Sequence, residues 1–419
     1  MPSEALRSLP RFRRACFGLL CTLTGALLAW LAWRAMAPGG WTGWEVLGFA
    51  CFLGLIPWAA LSAANGLLGG ALLLGSRDPA AAVMPQLRAA PAYGPLAPPG
   101  LRTGILCCVR DEPVEDVLPP VARLLAGLEA AGVGGSFVFW LLSDTRDDAL
   151  AAREEAAVAA LARRFPGRAH YRRRRENTGF KAGNVMEFLD RHAGGLDLFL
   201  CLDADSGMSA PAVLRLVGCM EADPRLAVVQ PLIVGRPAEA AFPRLFQFGM
   251  RAGMRAWATG QAWWQGDDGP YWGHNAVLRI SPFRAHARLA PLPDGRAILS
   301  HDQVEAVQLQ AAGWKVRCLR WRKAAWRATR PPCRISWRAT AAGARATCST
   351  GACCSARACA PWGGGSCYRR SCSSPGRRSG CCWPWRRWAM PRAAAARRRP
   401  GRPWLCCWGR PGSAPTRRS

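Results

Sequence analysis

Acidic side chains follow three apolar segments of the sequence, each at the point where a buried strand would end. Asp111 and Glu112 follow TGILCCV, Asp144 ends FVFWLLSD, and Asp203 and Asp205 end LFLCLDAD. Apolar runs separated by helical stretches predict a parallel sheet, whose ligand site lies where the carboxyl ends of the strands meet. Carboxylate oxygens are the ligands that hard divalent cations prefer. The pattern therefore predicts a site for a metal ion and a phosphorylated ligand.

Asp203 and Asp205 are the best placed of these carboxylates. A D-x-D sequence by itself is common in solvated loops, but this one directly follows a run of five apolar residues. We expect both carboxylates on one side of the turn after that strand, where they would hold Mg²⁺ or Mn²⁺.

A basic segment, YRRRRENTGFKAGN at 171–184, places four arginines, Thr-Gly and Lys181 ahead of a predicted helix. Helix N-terminal amides with nearby cations form a phosphate cradle. The alternative is a solvated basic loop. Because no G-x-G-x-x-G follows the first predicted strand, a dinucleotide-binding site of the Rossmann type is disfavoured.

The elements that must position these side chains alternate along the middle of the chain. Strands are predicted at TGILCCV, SFVFWLL, LDLFLCL and LAVVQPLIV, and helices at 116–131, 147–165, 180–191 and 210–222. The fold class predicted is α/β, with a mostly parallel sheet and flanking helices.

Two long uncharged runs precede this region. Four arginines within residues 1–14 come before the uncharged run 15–33, and a second uncharged run covers 46–74. The first run corresponds to about 28 Å of helix, enough to span a bilayer. Two transmembrane helices within 15–75 would keep both the N-terminus and the following domain in the cytoplasm. A signal peptide is the alternative for the first run. Residues 76–100 are predicted to be a Pro/Ala linker.

The last 99 residues differ in character from the rest of the chain. Residues 321–419 contain 22 of the 56 Lys and Arg and none of the 27 Asp and Glu, so most of the formal charge of +29 lies there. They hold eleven of the 19 cysteines and nine of the 20 tryptophans, but one leucine and no valine, phenylalanine or histidine. This composition cannot build a hydrophobic core, and the spacing of a zinc site is missing.

A change of reading frame explains this composition best. In GC-rich DNA, leucine codons displaced by one nucleotide read as Cys or Trp, and a shifted reading of SWRATAAGARATCSTGACC gives an ordinary protein sequence containing R-D-R-R-W. A basic RNA-binding tail is the alternative. We expect residues 320–419 to be an aberrant, disordered tail, and the chain to have no nucleic-acid partner.

Together the motifs resemble a known family. SDT, RRRENTGFKAGN, LDADS, WWQGDDGPYWGHNAVLRI and LSHDQVEA, all within 102–316, resemble the glucan glucosyltransferase H family of Gram-negative bacteria. Its members are processive family-2 glycosyltransferases with a GT-A fold that make osmoregulated periplasmic glucans. The resemblance implies a GT-A domain over 101–319, and inverting transfer of glucose from UDP-glucose to a growing β-glucan.

The resemblance also implies roles for single residues. Asp144 would contact the uridine portion of UDP-glucose, Asp203 and Asp205 would bind the metal-diphosphate, and Asp302 in SHDQVEA would be the general base. By the resemblance, the acceptor would be held by Trp272, Gly273, His274 and Asn275. Asp111, Glu112 and Lys181 are expected at the donor site from their own positions, after the first strand and before the predicted helix.

The same resemblance places the protein in the bacterial inner membrane as a multi-pass protein with a cytoplasmic catalytic domain. Its expected partners are the nucleotide-sugar donor, the glucan acceptor, inner-membrane lipid and a periplasmic glucan-processing protein.

One departure from the family bears on activity. The family's (Q/R)-x-x-R-W motif and the channel helices after it do not occur in this frame, whereas the shifted frame regenerates R-D-R-R-W downstream of Asp302. We therefore expect nucleotide-sugar binding to be retained and the full catalytic constellation to be lost. Two alternatives stay open: a non-processive family-2 transferase acting on a lipid-linked acceptor, and a membrane-anchored nucleotide-sugar sensor.

Overall fold

A seven-stranded sheet lies at the centre of the protein. The computed structural model describes residues 4–235, 241–292, 297–319 and 325–327. The strands of this sheet are β1 Thr103–Val109, β2 Phe137–Ser143, β3 Ala169–Arg173, β4 Leu198–Asp203, β6 Leu226–Pro231, β8 Ala276–Arg279 and β9 Lys315–Leu319. Their order is β3-β2-β1-β4-β8-β6-β9, and only β8 runs antiparallel to its neighbours. The predicted mostly parallel α/β sheet is confirmed.

A second sheet has three short strands. These are β5 Ser206–Met208, β7 Val234–Gly235 and β10 Ala325–Arg327, in the order β5-β10-β7. The apolar segment LAVVQPLIV, predicted as one strand, therefore divides between β6 of the large sheet and β7 of the small one.

Helices cover both faces of the large sheet, because its strands are apolar on both sides. One face carries α5 Val114–Ala130, α6 Asp148–Arg164 and α8 Ala210–Ala222, with a core that includes Leu124, Leu216 and Phe139. The other face carries α7 Phe180–Arg191, α10 Ile280–His286 and α11 His301–Ala311, around Phe188 and Phe199. Four of these helices agree with the predicted ones to within two residues at either end.

Two long helices precede the sheet. They are α1 Glu4–Met36 and α2 Gly43–Gly75, and their segments Pro10–Met36 and Gly43–Gly75 are long and apolar enough to cross a membrane. The start of α2 is fixed by a capping box, in which Thr42 Oγ1 accepts a hydrogen bond from Glu45 N and the Glu45 carboxylate accepts one from Thr42 N.

The segment after α2 differs from the predicted linker. It contains two short helices, α3 Pro79–Val83 and α4 Gln86–Ala89, and Met84 between them is fully buried in the main core. The Tyr93 hydroxyl lies 2.6 Å from a Glu221 carboxylate oxygen on α8. A Pro/Ala composition indicated an extended connection, but the apolar residues spaced within it supply enough buried surface to pack against the domain.

Helix α9, Ala241–Gln265, joins the domain to the first two helices. Its Trp264 ring stacks on Phe17 of α1 with the ring centroids 4.5 Å apart, and Trp264 Nε1 donates to Asn65 Oδ1 of α2 over 2.9 Å. A Cβ atom on Gly260 would collide with the carbonyl oxygen of Asn65, so a glycine here is required for the close approach of the two helix backbones.

The predicted tail lies outside the described residues, apart from β10. The sequence placed the end of the ordered domain at residue 319, yet residues 325–327 pair in register with both β5 and β7. Backbone pairing therefore continues beyond the predicted boundary.

Candidate active site

Asp144 lies at the carboxyl end of β2 and is almost fully buried. Arg174 holds both of its oxygens, with Nη2 at 2.8 Å from Oδ2 and Nε donating to Oδ1. Asn184 Nδ2 on α7 donates to Oδ1 over 3.0 Å. The carboxylate predicted to contact uridine is therefore held rigidly by protein donors.

Lys181, on the first turn of α7, joins β4 to the segment that precedes β8. Its ammonium donates to Asp203 Oδ1 at the end of β4 and to the carbonyl oxygen of Gly273 over 2.6 Å. Burial alone would lower the pKa of Lys181, but the Asp203 carboxylate beside it outweighs burial and raises the pKa above its ordinary value. Lys181 is therefore a permanent positive charge beside the predicted metal ligand.

Gly273 connects this lysine to Asp302. Its φ of +76° is in the left-handed region, and a Cβ atom there would lie 3.5 Å from Asp302 Oδ2. Asp302 itself lies in the first turn of α11, where the helix dipole favours a negative side chain. The structure thus brings Asp203, Lys181, Gly273 and Asp302 into one connected set.

The remaining predicted acceptor residues differ in their exposure to solvent. Trp272 is partly exposed, and its backbone N donates to Gln230 Oε1 over 3.0 Å. His274 and Asn275 are buried, and Asn275 donates from Nδ2 to Gly207 O over 3.2 Å and from N to Cys201 O over 2.6 Å. Asn275 thus links the segment before β8 to β4 and β5, and its role toward the acceptor stays a prediction.

The carboxylates after β1 are held within the loops of the same edge. Asp111 has a φ of 63°, its N donates to Thr145 Oγ1 over 3.0 Å, and its Oδ1 accepts from Arg146 N over 3.1 Å. Glu112 accepts from Arg110 N. Both residues therefore shape the loops after β1 and β2, beside Asp144.

Three of the four arginines predicted to lie near a phosphate cradle donate hydrogen bonds to neighbouring protein groups. Arg172 donates to Asn184 O over 3.0 Å, Arg173 donates to Thr145 O over 2.9 Å, and Arg174 holds Asp144. Arg172 and Arg173 belong to β3, an edge strand paired with β2, and their side chains reach backbone carbonyls of neighbouring elements. Of the four, Arg173 and Arg175 are exposed.

The carboxylates of Asp203 and Asp205 suit a metal ion that also binds a diphosphate. Among the residues that the structure describes, no group of three or more His, Cys, Asp or Glu side chains is arranged to hold a metal. Asp203 ends β4 and Asp205 lies in the turn before β5, which gives two oxygen-donor side chains. Mg²⁺ is commonly bound by one or two carboxylates plus substrate phosphates, so this donor set fits.

Sequence reasoning missed a buried pair next to the predicted base. His301 Nδ1 lies 3.1 Å from Glu305 Oε2, one turn further along α11. Burial lowers the pKa of His301, but the Glu305 carboxylate outweighs burial and raises it overall. The i, i+4 spacing of His and Glu in SHDQVEA was the available signal. Arg174 and Asn184 were quoted within a motif, but their contact with Asp144 depends on the fold.

Family comparison agrees with this geometry. Residues 144–286, which run from the buried carboxylate of β2 through β4, β8 and α10, match the family model Glycosyl transferase family 2. Over these residues, the chain is therefore similar to the family-2 glycosyltransferases.

The chain is also similar to proteins named glucans biosynthesis glucosyltransferase H. It is 37% identical over 285 residues to the one from Bradyrhizobium diazoefficiens, covering 66% of this chain and 37% of the relative. It is 34% identical over 340 residues to that of Xylella fastidiosa, covering 75% of this chain and 51% of the relative. The chain thus spans between about a third and a half of the length of these relatives.

Among solved structures, similarity is found to a mannosyltransferase from Pyrobaculum calidifontis in complex with GDP-Man and Mn²⁺. The identity is 18%, the TM-score is 0.42, and the alignment covers 72% of this chain and 78% of that chain.

Proposed function

We propose that this chain is the membrane-anchored catalytic part of a glucan synthase, which transfers glucose from UDP-glucose to a growing β-glucan. The transfer would invert the anomeric carbon and require a divalent metal. The relatives named glucans biosynthesis glucosyltransferase H support the glucan product.

The connected set of Asp203, Lys181, Gly273 and Asp302 carries this proposal. An inverting transfer needs two functions at one centre: binding of the donor diphosphate and removal of a proton from the acceptor. In that reaction the acceptor hydroxyl attacks the anomeric carbon, its proton passes to the base, and the bond to UDP breaks. The residues proposed for the two functions lie near each other, with Lys181 and Gly273 between them.

The polar residues at this edge of the sheet have proposed tasks. Asp203 and Asp205 would hold Mg²⁺ or Mn²⁺ together with the diphosphate, and this ion would neutralise charge that develops on the leaving UDP. Asp302 would take the proton from the acceptor hydroxyl. Lys181 would fix the positions of the Asp203 carboxylate and the Gly273 carbonyl. Asp144, fixed by Arg174 and Asn184, would contact the uridine.

Cysteine chemistry has no part in this proposal. Cys107, Cys108 and Cys201 lie at the same end of β1 and β4, and burial raises the pKa of each thiol. Protonated thiols are poor nucleophiles.

The test is transfer of labelled glucose from UDP-glucose by membranes that contain the chain, with and without Mg²⁺. We expect metal-dependent UDP-glucose binding, and a β-glucan product once the reading frame is restored. A product carrying a single glucose on a lipid would contradict the proposal and favour the non-processive alternative. Binding without any transfer in the frame-restored protein would favour a sensor.

A change of reading frame near residue 320 belongs to the same proposal, with transfer impaired in the present chain. It is supported by the composition of residues 321–419, which combine 22 basic residues with no acidic residue. Sequencing the gene beyond the codon for Leu319 tests it. An uninterrupted frame that encodes the same basic tail would contradict it.

A further inference from the structure

An open cleft of about 600 Å³ lies at the edge of the large sheet opposite the candidate active site. Its lining comes from the loop 193–197, which joins α7 to β4, and from residues 279–288, which run from the last residue of β8 through α10. Asp197 precedes β4 and Asp203 ends it, so the two are roughly 20 Å apart at 3.3 Å per residue. The cleft is therefore separate from the residues proposed to bind the metal and the donor.

Two arginines of the cleft are held side by side by one carboxylate of α7. Arg288 Nη2 lies 2.6 Å and Arg284 Nε lies 3.4 Å from the same oxygen, Asp190 Oδ1. In the part of the chain that the structure describes, this is the one carboxylate paired with either arginine. Two guanidinium groups and one carboxylate leave a net charge of +1 at this corner, which attracts a second anion.

The same two arginines have donors to offer such an anion. A guanidinium carries five N–H donors, and a single carboxylate oxygen engages few of them. The side chains of Arg284 and Arg288 are 47% and 55% exposed, so a ligand in the cleft can reach them. Phosphate oxygens suit paired guanidinium groups, because the planar fork of arginine binds them in a bidentate manner.

A third arginine of the lining is fixed by the protein backbone. Arg279 Nη2 donates to Met220 O over 2.7 Å and Nε donates to Leu226 O over 3.2 Å. Asp197, the carboxylate of the lining, accepts a hydrogen bond at Oδ2 from Arg102 N over 2.9 Å. The cleft thus has a defined polar lining, and its volume is within the usual range for sites that bind small molecules.

We propose that this cleft binds a small phosphorylated anion, with a phosphate group held between the guanidinium groups of Arg284 and Arg288. The proposal is independent of the glucosyl transfer proposed above, since the two sites share no residue. The concave shape favours a small molecule over an acidic protein surface. A soluble phosphate ester and the headgroup of an anionic lipid present the same chemistry, and the experiment distinguishes them.

Hydrogen–deuterium exchange of the full chain in phosphatidylcholine nanodiscs, at increasing concentrations of inorganic pyrophosphate, tests the proposal. EDTA removes the divalent metal that the candidate active site would need. Exchange is read peptide by peptide, so the basic residues 321–419 do not contribute to the affinity measured at the cleft. We expect slower exchange, saturating with pyrophosphate, in peptides covering 187–197 and 279–290. Unchanged exchange in both peptides would overturn the proposal, as would protection confined to residues 174–184.

Substitutions of the two arginines test the contacts. Arg284→Gln combined with Arg288→Gln should weaken the affinity at the cleft at least tenfold, because charge-assisted hydrogen bonds to the phosphate are lost. Arg153→Gln combined with Arg163→Gln, two exposed arginines of α6, removes the same charge elsewhere and should leave the affinity unchanged. An equal loss in both pairs would reveal general attraction to a basic chain and overturn the site.

A conservative pair keeps the test decisive if the glutamine pair fails to fold. Arg284→Lys combined with Arg288→Lys retains both charges beside Asp190 but removes the planar forks. We expect it to bind pyrophosphate more weakly than the unsubstituted chain. Full affinity in this pair would contradict recognition by guanidinium groups.

The lipid of the nanodisc identifies the source of the phosphate. Without pyrophosphate, slower exchange of the same two peptides in phosphatidylglycerol discs than in phosphatidylcholine discs assigns the cleft to a lipid headgroup. Equal exchange in the two discs, with protection by pyrophosphate, assigns it to a soluble phosphorylated compound.

Discussion

Arg174 and Asp144 form a two-pronged ion pair that is buried at the end of β2, with Nη2 and Oδ2 2.8 Å apart. Arg174 also donates to the carbonyl oxygens of Thr178 and Phe180, which precede and begin α7. The pair therefore fixes a predicted donor-binding carboxylate and the start of the helix that carries Lys181.

Arg174→Met should destabilise the domain by about 3–5 kcal/mol, because it leaves the Asp144 carboxylate buried without its cation. The free energy of unfolding, from urea titration in detergent, measures the change. Arg175→Met is the matched control, since Arg175 is the exposed neighbour, and should change it by less than about 0.5 kcal/mol. Equal effects of the two substitutions would contradict this account of the pair.

Asp205→Ala should abolish Mg²⁺-dependent binding of UDP, because one of two carboxylates that would bridge metal and diphosphate is lost. Titration calorimetry with and without Mg²⁺ measures it. Asp190→Ala, at the opposite end of α7 in a surface ion pair with Arg288, is the control and should bind UDP normally. Unchanged UDP affinity in Asp205→Ala would exclude this residue from the metal site.

Asp302→Asn should leave UDP affinity unchanged and lower the rate of glucose transfer by roughly 10²–10⁴-fold, the usual contribution of a general base. The assay uses the frame-restored protein with labelled UDP-glucose. Gln308→Ala, two turns further along α11, should retain transfer. Substantial turnover by Asp302→Asn would assign the proton transfer to another residue.

Gly273→Ala should reduce transfer more than it reduces UDP binding, because the new Cβ would lie 3.3 Å from Asp302 Cβ. Gly313→Ala separates this contact from backbone strain: Gly313 also has a positive φ, of +83°, but has nothing within 4 Å of its added Cβ. We expect both variants to lose some stability and only Gly273→Ala to lose transfer selectively. A similar loss of transfer in both would refute the contact argument.

The His301–Glu305 pair predicts a pH dependence of stability. The pKa of His301 is raised in the folded protein. Its contribution to stability is therefore fully present below the unfolded pKa of about 6.5 and is lost as the pH rises through the raised folded value. His301→Gln should thus reduce the free energy of unfolding at pH 6 more than at pH 9. A difference between variant and wild type that grows with pH would have the wrong sign.

The proximity of Asp144 and Asp203 was predictable from the sequence. Each aspartate follows an apolar run that predicts a strand, and parallel strands end at the same edge of a sheet. Their partners were not predictable, since Arg174 reaches Asp144 and Lys181 reaches Gly273 only after α7 docks on the sheet. The burial of Asn275 depends likewise on Gly207 in a different strand. Local composition misled at residues 76–100, where Met84 is buried by helices distant in sequence.

The backbone contact between Gly260 and Asn65 also bears on biogenesis. Asn65 leaves the ribosome long before Trp264, so α2 is already available when the last turns of α9 are made. Most of the surface on which α9 packs is then supplied by α1 and α2 and not by the sheet. A fragment that starts after Gly75 would leave Gly260 and Trp264 uncovered, and expression of such a fragment should yield an aggregating protein.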